Sequence, residues 1–345
     1  MRHLLTLAAC FAALTAQNQT PSNIEAVEYD PQGNRWFVSN GSSVLVTSDQ
    51  GANWSFFGEA QASHGMEIMN GVLYAIGDNV IRSYALSSAE LLGSLVIPDV
   101  GFLNGMGNNG SGMLVVSDFS NSRLHQVNAA DPTAMTSMQL TGNLGLTPNG
   151  VVVDVENNRA IVVCWGNNAD IIAVDLESGE VSTLVDGTGM GNLDGIDDDG
   201  NGQYYVTSWS PNKVTRYSAD FTVAEPMLSA AAGLSSPADI SYAVELDVLG
   251  IANSGSDEVT FHDFSSSIVF EDRLERWGVA RLGPMWSVTL PAPAEVIWTV
   301  HDGIGRVVDT GRERLPMGTV HLKWPEVPPG GFLEVRCGAR RDVLR

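Results

Sequence analysis

Cysteine is scarce in this chain, and so is positive charge. There are three cysteines, and 18 Lys and Arg stand against 40 Asp and Glu, a formal charge of -22. Three cysteines are too few for a disulfide framework. Cys164 and Cys337 read as free, buried small hydrophobes, although an exported protein could join them. So strong an acidic excess repels phosphate backbones and anionic membranes, which argues against nucleic acid as a partner. It favours divalent cations. Beyond the first residues no apolar run approaches the roughly 20 residues that span a bilayer.

The first 16 residues read as a signal peptide. Met1-Arg2-His3 is a short positive start, Leu4 to Leu14 is apolar, and Thr15-Ala16 offers a small-residue cleavage site before Gln17. Leu7-Ala8-Ala9-Cys10 also has the form of a lipidation box, which keeps attachment at Cys10 open beside ordinary cleavage.

What is present in quantity is glycine, 36 residues of it, set between short runs of Val, Ile, Leu, Phe and Tyr. That composition predicts many short strands and tight turns. The runs repeat. A polar residue, usually followed by Gly, precedes a strand at Glu25, His64, Asn104, Asn149, Asp194 and Asp239. A second strand ending in small polar residues follows each time, as in Leu114-Val115-Val116-Ser117 and Tyr204-Tyr205-Val206-Thr207. A third and a weaker fourth complete each unit. Four strands in roughly 40–45 residues is one propeller blade, a size too large for a solenoid coil. The expected fold is all-β: a six-bladed β-propeller over residues 22–272, with blade six supplying its own outer strand at Ser267–Phe270.

Composition changes near residue 270. Beyond it lie 11 of the 18 Lys and Arg, so nearly all the net negative charge belongs to the first part. Strands expected around Trp286–Leu290, Val296–Val300, Arg306–Asp309, Val320–Lys323 and Phe332–Val335 make residues 284–345 a small β-sandwich. The boundary is expected between 270 and 283.

The first strand of a blade lines the channel, so the six repeat residues should meet at one mouth. Three carboxylates, two amides and an imidazole there are costly if dry and unpaired. A hard divalent cation, Ca²⁺ above all, relieves that cost. A wet polar channel does so too. Two local motifs carry no function here. Asp197 to Gly202 has half of an EF-hand pattern but reads as a hairpin, and Thr47 to Trp54 fits an Asp-box, a structural turn.

Thr147-Pro148-Asn149-Gly150-Val151 and Leu193-Asp194-Gly195-Ile196-Asp197 resemble the Pro-Asn-Gly and Pro-Asp-Gly motifs of the SMP-30/gluconolactonase/LRE-like propellers. The resemblance implies one divalent metal on Glu25, Asn149 and Asp194, with Asn104 facing the substrate. Phe102 stands where that family has an Arg. In the tail, Val300 to Val308, Leu315-Pro316-Met317-Gly318 and Gly330-Gly331-Phe332-Leu333-Glu334-Val335 resemble the type IX secretion C-terminal sorting domain of Bacteroidetes. That resemblance implies contact with the type IX machinery and a secreted or outer-membrane surface-attached protein. A generic β-sandwich is the other reading.

Two functions follow as expectations. One is a non-catalytic propeller binding a small-molecule ligand or a surface protein, slightly favoured. The other is a metal-dependent hydrolase of a lactone or ester, with Asp194 or His64 as base and Asn104 orienting the substrate.

Overall fold

A computed structural model describes residues 18–265, then 278–282, 285–290, 294–315, 318–323, 325, 327–337 and 340–344. The expected signal peptide, Cys10 and the expected strand at Ser267–Phe270 lie outside these residues. The chain divides into two compact units, at His262 and Asp263.

In the first unit, six antiparallel sheets follow one another along the chain, each with its strands paired in sequence order. The leading strands are Val27–Asp30, Met66–Met69, Leu103–Asn108, Thr147–Asp154, Gly191–Asp198 and Pro237–Ala243. Each of these contacts the leading strand of the next sheet, and the sixth contacts the first, so the six close a ring. Five sheets have four strands. The sixth shows three among the described residues: Pro237–Ala243, Val248–Asn253 and Glu258–Asp263.

Strand position explains strand composition. The second strand of each sheet is covered on both faces by neighbouring sheets, so it is a continuous apolar run and not an alternating one. All six residues of Val72–Gly77 are buried, as is Ala160 to Cys164. The fourth strand faces solvent, and Val181–Val185 is mostly exposed. Between adjacent sheets lie separate apolar clusters. One of them joins Tyr29, Trp36 and Val38 of sheet one to Ala243, Val248 and Ala252 of sheet six. Gly250 makes room for this closure. A methyl group there would lie 2.5 Å from Cζ3 of Trp36.

The second unit is a sandwich. One sheet pairs Gly278–Leu282, Met285–Leu290 and Gly318–Leu322. The other runs in the order Val307–Leu315, Ala294–His301, Phe332–Cys337, Arg340–Leu344. Trp286, Val288 and Leu290 of the first share one core with Val296, Val300, Leu315, Leu333 and Val335 of the second. The first described strand of this unit starts at Gly278, whereas the compact units divide at His262 and Asp263, ahead of the stretch expected to hold the boundary. The strands at its two ends, Gly278–Leu282 and Arg340–Leu344, were not foreseen.

Both cysteines are free. Cys164 is buried, and burial pushes its thiol up to about 12, which makes it inert at neutral pH; Cys337 is only partly buried, less than expected. The two discounted motifs are turns. Asp199 Oδ1 accepts from Asn201 N at 2.8 Å and Gln203 N at 3.0 Å, and Thr47 Oγ1 donates to Asp49 Oδ1 at 2.7 Å.

Candidate functional site

The polar-Gly repeat has a local cause. In sheets four, five and six, register shifts between Pro148 and Val151, between Leu193 and Ile196, and between Pro237 and Ile240. Each shift is a bulge at the repeat residue. Gly lets adjacent inner strands approach there. A methyl group on Gly195 would lie 2.7 Å from the Ala238 carbonyl oxygen, and one on Gly65 2.6 Å from that of Asn104; at Gly105 and Gly150 it would overlap the carbonyls of Asn149 and Asp194. The bulged N–H groups are met by the small polar residues ending the second strand. Gly105 N donates to Ser117 Oγ at 2.8 Å, Gly195 N to Thr207 Oγ1 at 2.7 Å and Ala26 N to Ser39 Oγ at 2.8 Å. Both halves of the sequence pattern therefore serve one structural device.

The six repeat residues take equivalent places around the ring. Gly65 N donates to Asn104 O at 3.0 Å, and Asp239 N to Glu25 O at 3.0 Å. Four of the six form one electrostatic group. Asn149 Nδ2 donates to Asp194 Oδ1 at 3.0 Å and to Leu193 O at 3.1 Å. Burial raises Asp194 well above the usual carboxylate range, and the charges of Glu25 and Asp239 add to it. Burial pushes Glu25 up to about 7, against a hydrogen bond from Ser254. Asp239 rises to about 8, chiefly through burial.

His64 and Asn104 stand apart from this group. Burial lowers His64 to about 4, so it is neutral at pH 7, and the carboxylate it feels is Asp78. Its ring meets Phe102 edge-on at 4.6 Å. Asn104 is 8% exposed.

No family model matches this chain, and no curated protein matches it. Solved structures do. One chain from the "Crystal structure of Nidogen/Laminin Complex" aligns over 68% of this chain and 90% of its own, at 16% identity and a TM-score of 0.55. One from the "Crystal Structure of Mitotic Checkpoint Complex" aligns over 100% and 99%, at 11% identity and 0.51. A streptogramin B lyase aligns over 72% and 96%, at 12% identity and 0.47. The first unit has a β-propeller fold. At such identities the likeness extends to fold alone.

The propeller channel holds a second acidic group that the repeat did not reveal. Glu28, Glu67 and Asp197 line a cavity of about 220 Å³ together with Asn108, Ser241 and Asp239. All three carboxylates are raised well above their usual range, first by burial and then by neighbouring acids. Asn108 Nδ2 donates to Glu67 at 2.5 Å, Ile68 N to Glu28 at 3.1 Å and Tyr242 N to Asp197 at 2.6 Å. Each lies three residues after a repeat residue. Strict alternation puts positions three apart on opposite faces. At Asp197, where the bulge is observed, the extra residue turns both to the axis. Glu25-Glu28, His64-Glu67 and Asp194-Asp197 share a spacing that was readable, but its meaning depended on the bulge.

The expected metal set can be tested against the chemistry of its donors. Asn149, Asp194 and Glu25 offer amide and carboxylate oxygens, which suit a hard cation. Among the described residues no three His, Cys, Asp or Glu side chains converge as a ready-made cage. One of the three expected donors is an amide, and its Nδ2 is bonded to Asp194. That bond leaves Asn149 Oδ1 as the free atom. The carboxylates fit a cation by charge.

Proposed function

We propose that this chain is an exported β-propeller that holds one divalent cation, Ca²⁺ first among candidates, on Glu25, Asn149 and Asp194, with Asp239 as a neighbouring carboxylate. The mouth around it binds a small-molecule ligand or a surface protein without catalysis. The supporting observation is the group of buried carboxylates whose charges oppose one another. The charges of Glu25 and Asp239 raise Asp194, that of Glu25 raises Asp239, Glu25 itself is raised by burial, and no Lys or Arg enters the causes of their shifts. A cation or bound protons must offset that charge. Both propeller neighbours that carry the fold comparison come from protein complexes by their titles, which supports protein binding as one use of such a surface.

Calorimetric titration with Ca²⁺, Mg²⁺, Mn²⁺ and Zn²⁺ tests the reading. Ca²⁺ should bind the wild type, and Asp194→Ala should bind far more weakly. Equal binding by the variant would remove Asp194 from the site, and no binding by the wild type would leave a wet, proton-sharing channel.

A hydrolase of lactones or esters is the second reading. A bound divalent cation supplies carbonyl polarisation and a more acidic water. Of the two candidate bases, Asp194 sits inside the carboxylate group, whereas His64 is neutral but placed with Phe102 and Asp78. Turnover of lactones or aryl esters by the metal-loaded wild type, lost in Asp194→Ala, would favour this reading over binding alone. For the second unit we propose the sorting role that its motifs imply.

A further inference from the structure

Five aromatic rings form an unbroken row beside the Asn149–Asp194 mouth. Successive ring centroids are 4.6 Å apart from His64 to Phe102, 5.8 Å from Phe102 to Phe119, 6.0 Å from Phe119 to Trp165 and 5.0 Å from Trp165 to Trp209. Strand register fixes the place of the row. Phe119 N bonds to Phe102 O at 2.8 Å, and Phe102 precedes Asn104 by two residues. Trp165 pairs with Thr147, two residues before Asn149. Trp209 lies between Ser208 and Ser210, which pair with Leu193 and Gly191 beside Asp194. All five side chains are partly buried and partly open.

Two polar groups at this mouth lack partners. The Asn104 side chain is more than nine-tenths buried, and its amide makes no hydrogen bond among the described residues. Trp209 Nε1 is buried without an acceptor at hydrogen-bonding geometry, although it is near enough to Asp194 to favour that group's charge. An unmet buried donor costs about 1–3 kcal/mol, and a ligand oxygen relieves it.

We propose that the row is a stacking platform for a flat aromatic ring carrying a neutral carbonyl oxygen, which hydrogen-bonds to Asn104 and to Trp209 Nε1. This rests on the reading of the mouth as a ligand site. The chemistry selects the class. An anion finds no positive side chain beside Glu25, Asp194 and Asp239, since no Lys or Arg enters the causes of their shifts. A cationic amine leaves the Trp209 N–H unmet. A pyranose also stacks on aromatic faces, and the glucoside probe below tests that class.

The test uses the full exported chain with three probes: benzamide, cyclohexanecarboxamide and methyl glucoside, followed by ligand-observed NMR. Benzamide should bind, and cyclohexanecarboxamide, with the same amide but no π face, should bind clearly less. Trp165→Leu should weaken benzamide binding about 2- to 10-fold. Trp209→Phe keeps a ring but loses the N–H, and it should weaken benzamide by a similar factor. Should Trp165→Leu fail to fold, Trp209→Phe and the wild-type preference between the two amides decide the matter. Equal binding of the two amides, no benzamide binding, or a preference for the glucoside overturns the proposal. Calcium titration of the same samples separates the two readings. Calcium binding without benzamide binding sinks the aromatic platform alone, and benzamide binding without calcium sinks the metal site alone.

Discussion

At the scale of single residues, the buried hydroxyls that end the second strands are the least replaceable polar groups in the ring. Thr207 is fully buried; its Oγ1 accepts from Gly195 N and lies 2.8 Å from Ala238 O, to which it donates. Thr207→Val keeps the shape but strands one N–H and one carbonyl. It should cost about 1–3 kcal/mol, read as a lower urea midpoint with an unchanged slope. The acids predict a pH dependence of the opposite sense to that of ordinary salt-bridged proteins. Asp239 is raised from 3.8 to about 8 and Glu25 from 4.5 to about 7. Between pH 4 and 8 the unfolded chain has released these protons while the folded chain keeps them. Metal-free stability should therefore fall as pH rises through that window. Thermal unfolding from pH 5 to pH 8 checks this, and a flat or rising midpoint would contradict it. Calcium should oppose the loss at pH 8, by about 2.7 kcal/mol at a hundredfold excess over its dissociation constant.

At the scale of elements, the bulged inner strand links sequence, fold and site. Gly150 and Gly195 are needed because a neighbouring carbonyl occupies the space of a side chain. Gly195→Ala should force the fifth and sixth inner strands apart. We expect roughly 1–3 kcal/mol of destabilisation, with calcium binding weakened in the same variant. Normal calorimetry and an unchanged melting temperature would show that the strands adjust freely. The same element shows how far the sequence could be read. The strands and their order were legible, because covered second strands must be apolar and because a polar residue, usually followed by Gly, marks the start of each unit. Glu25, Asn149, Asp194 and Asp239 were legible as a group because equivalent positions face one axis. Glu28, Glu67 and Asp197 were not, since a period of two assigns them to the opposite face; at Asp197 the bulge reverses that assignment. The placing of His64 with Phe102 was also hidden. His64 and Phe102, like Phe119, Trp165 and Trp209, are separated in sequence and meet only when the sheets stand side by side.

At the scale of the whole molecule, charge is divided between the two units. The propeller carries nearly all of the acidic excess, and the tail carries most of the basic side chains. The tail has its own core across two sheets. Deleting residues 275–345 should leave the propeller folded, with its calcium binding intact, but strand it short of the cell surface. Circular dichroism of the truncated protein and its cellular fractionation are the measurements. Surface delivery of the truncated chain would show that the tail is no sorting signal.

Trp36 seated on Gly250 has a consequence in time. It joins a residue made early in synthesis to one made more than two hundred positions later. The other sheet-to-sheet joints link neighbours in the chain, so they can form as the polypeptide emerges. This joint cannot form until the last sheet exists. The ring therefore assembles as an open arc with a late, long-range closing step, the kind of contact that slows folding most. A chain stopped between Ser229 and Pro237 would be five-sixths of a ring with an uncovered apolar flank. A circular permutant that begins at the second sheet would move the late joint elsewhere. Its folding rate should then lose its sensitivity to Gly250→Ala, although its native ring would be the same.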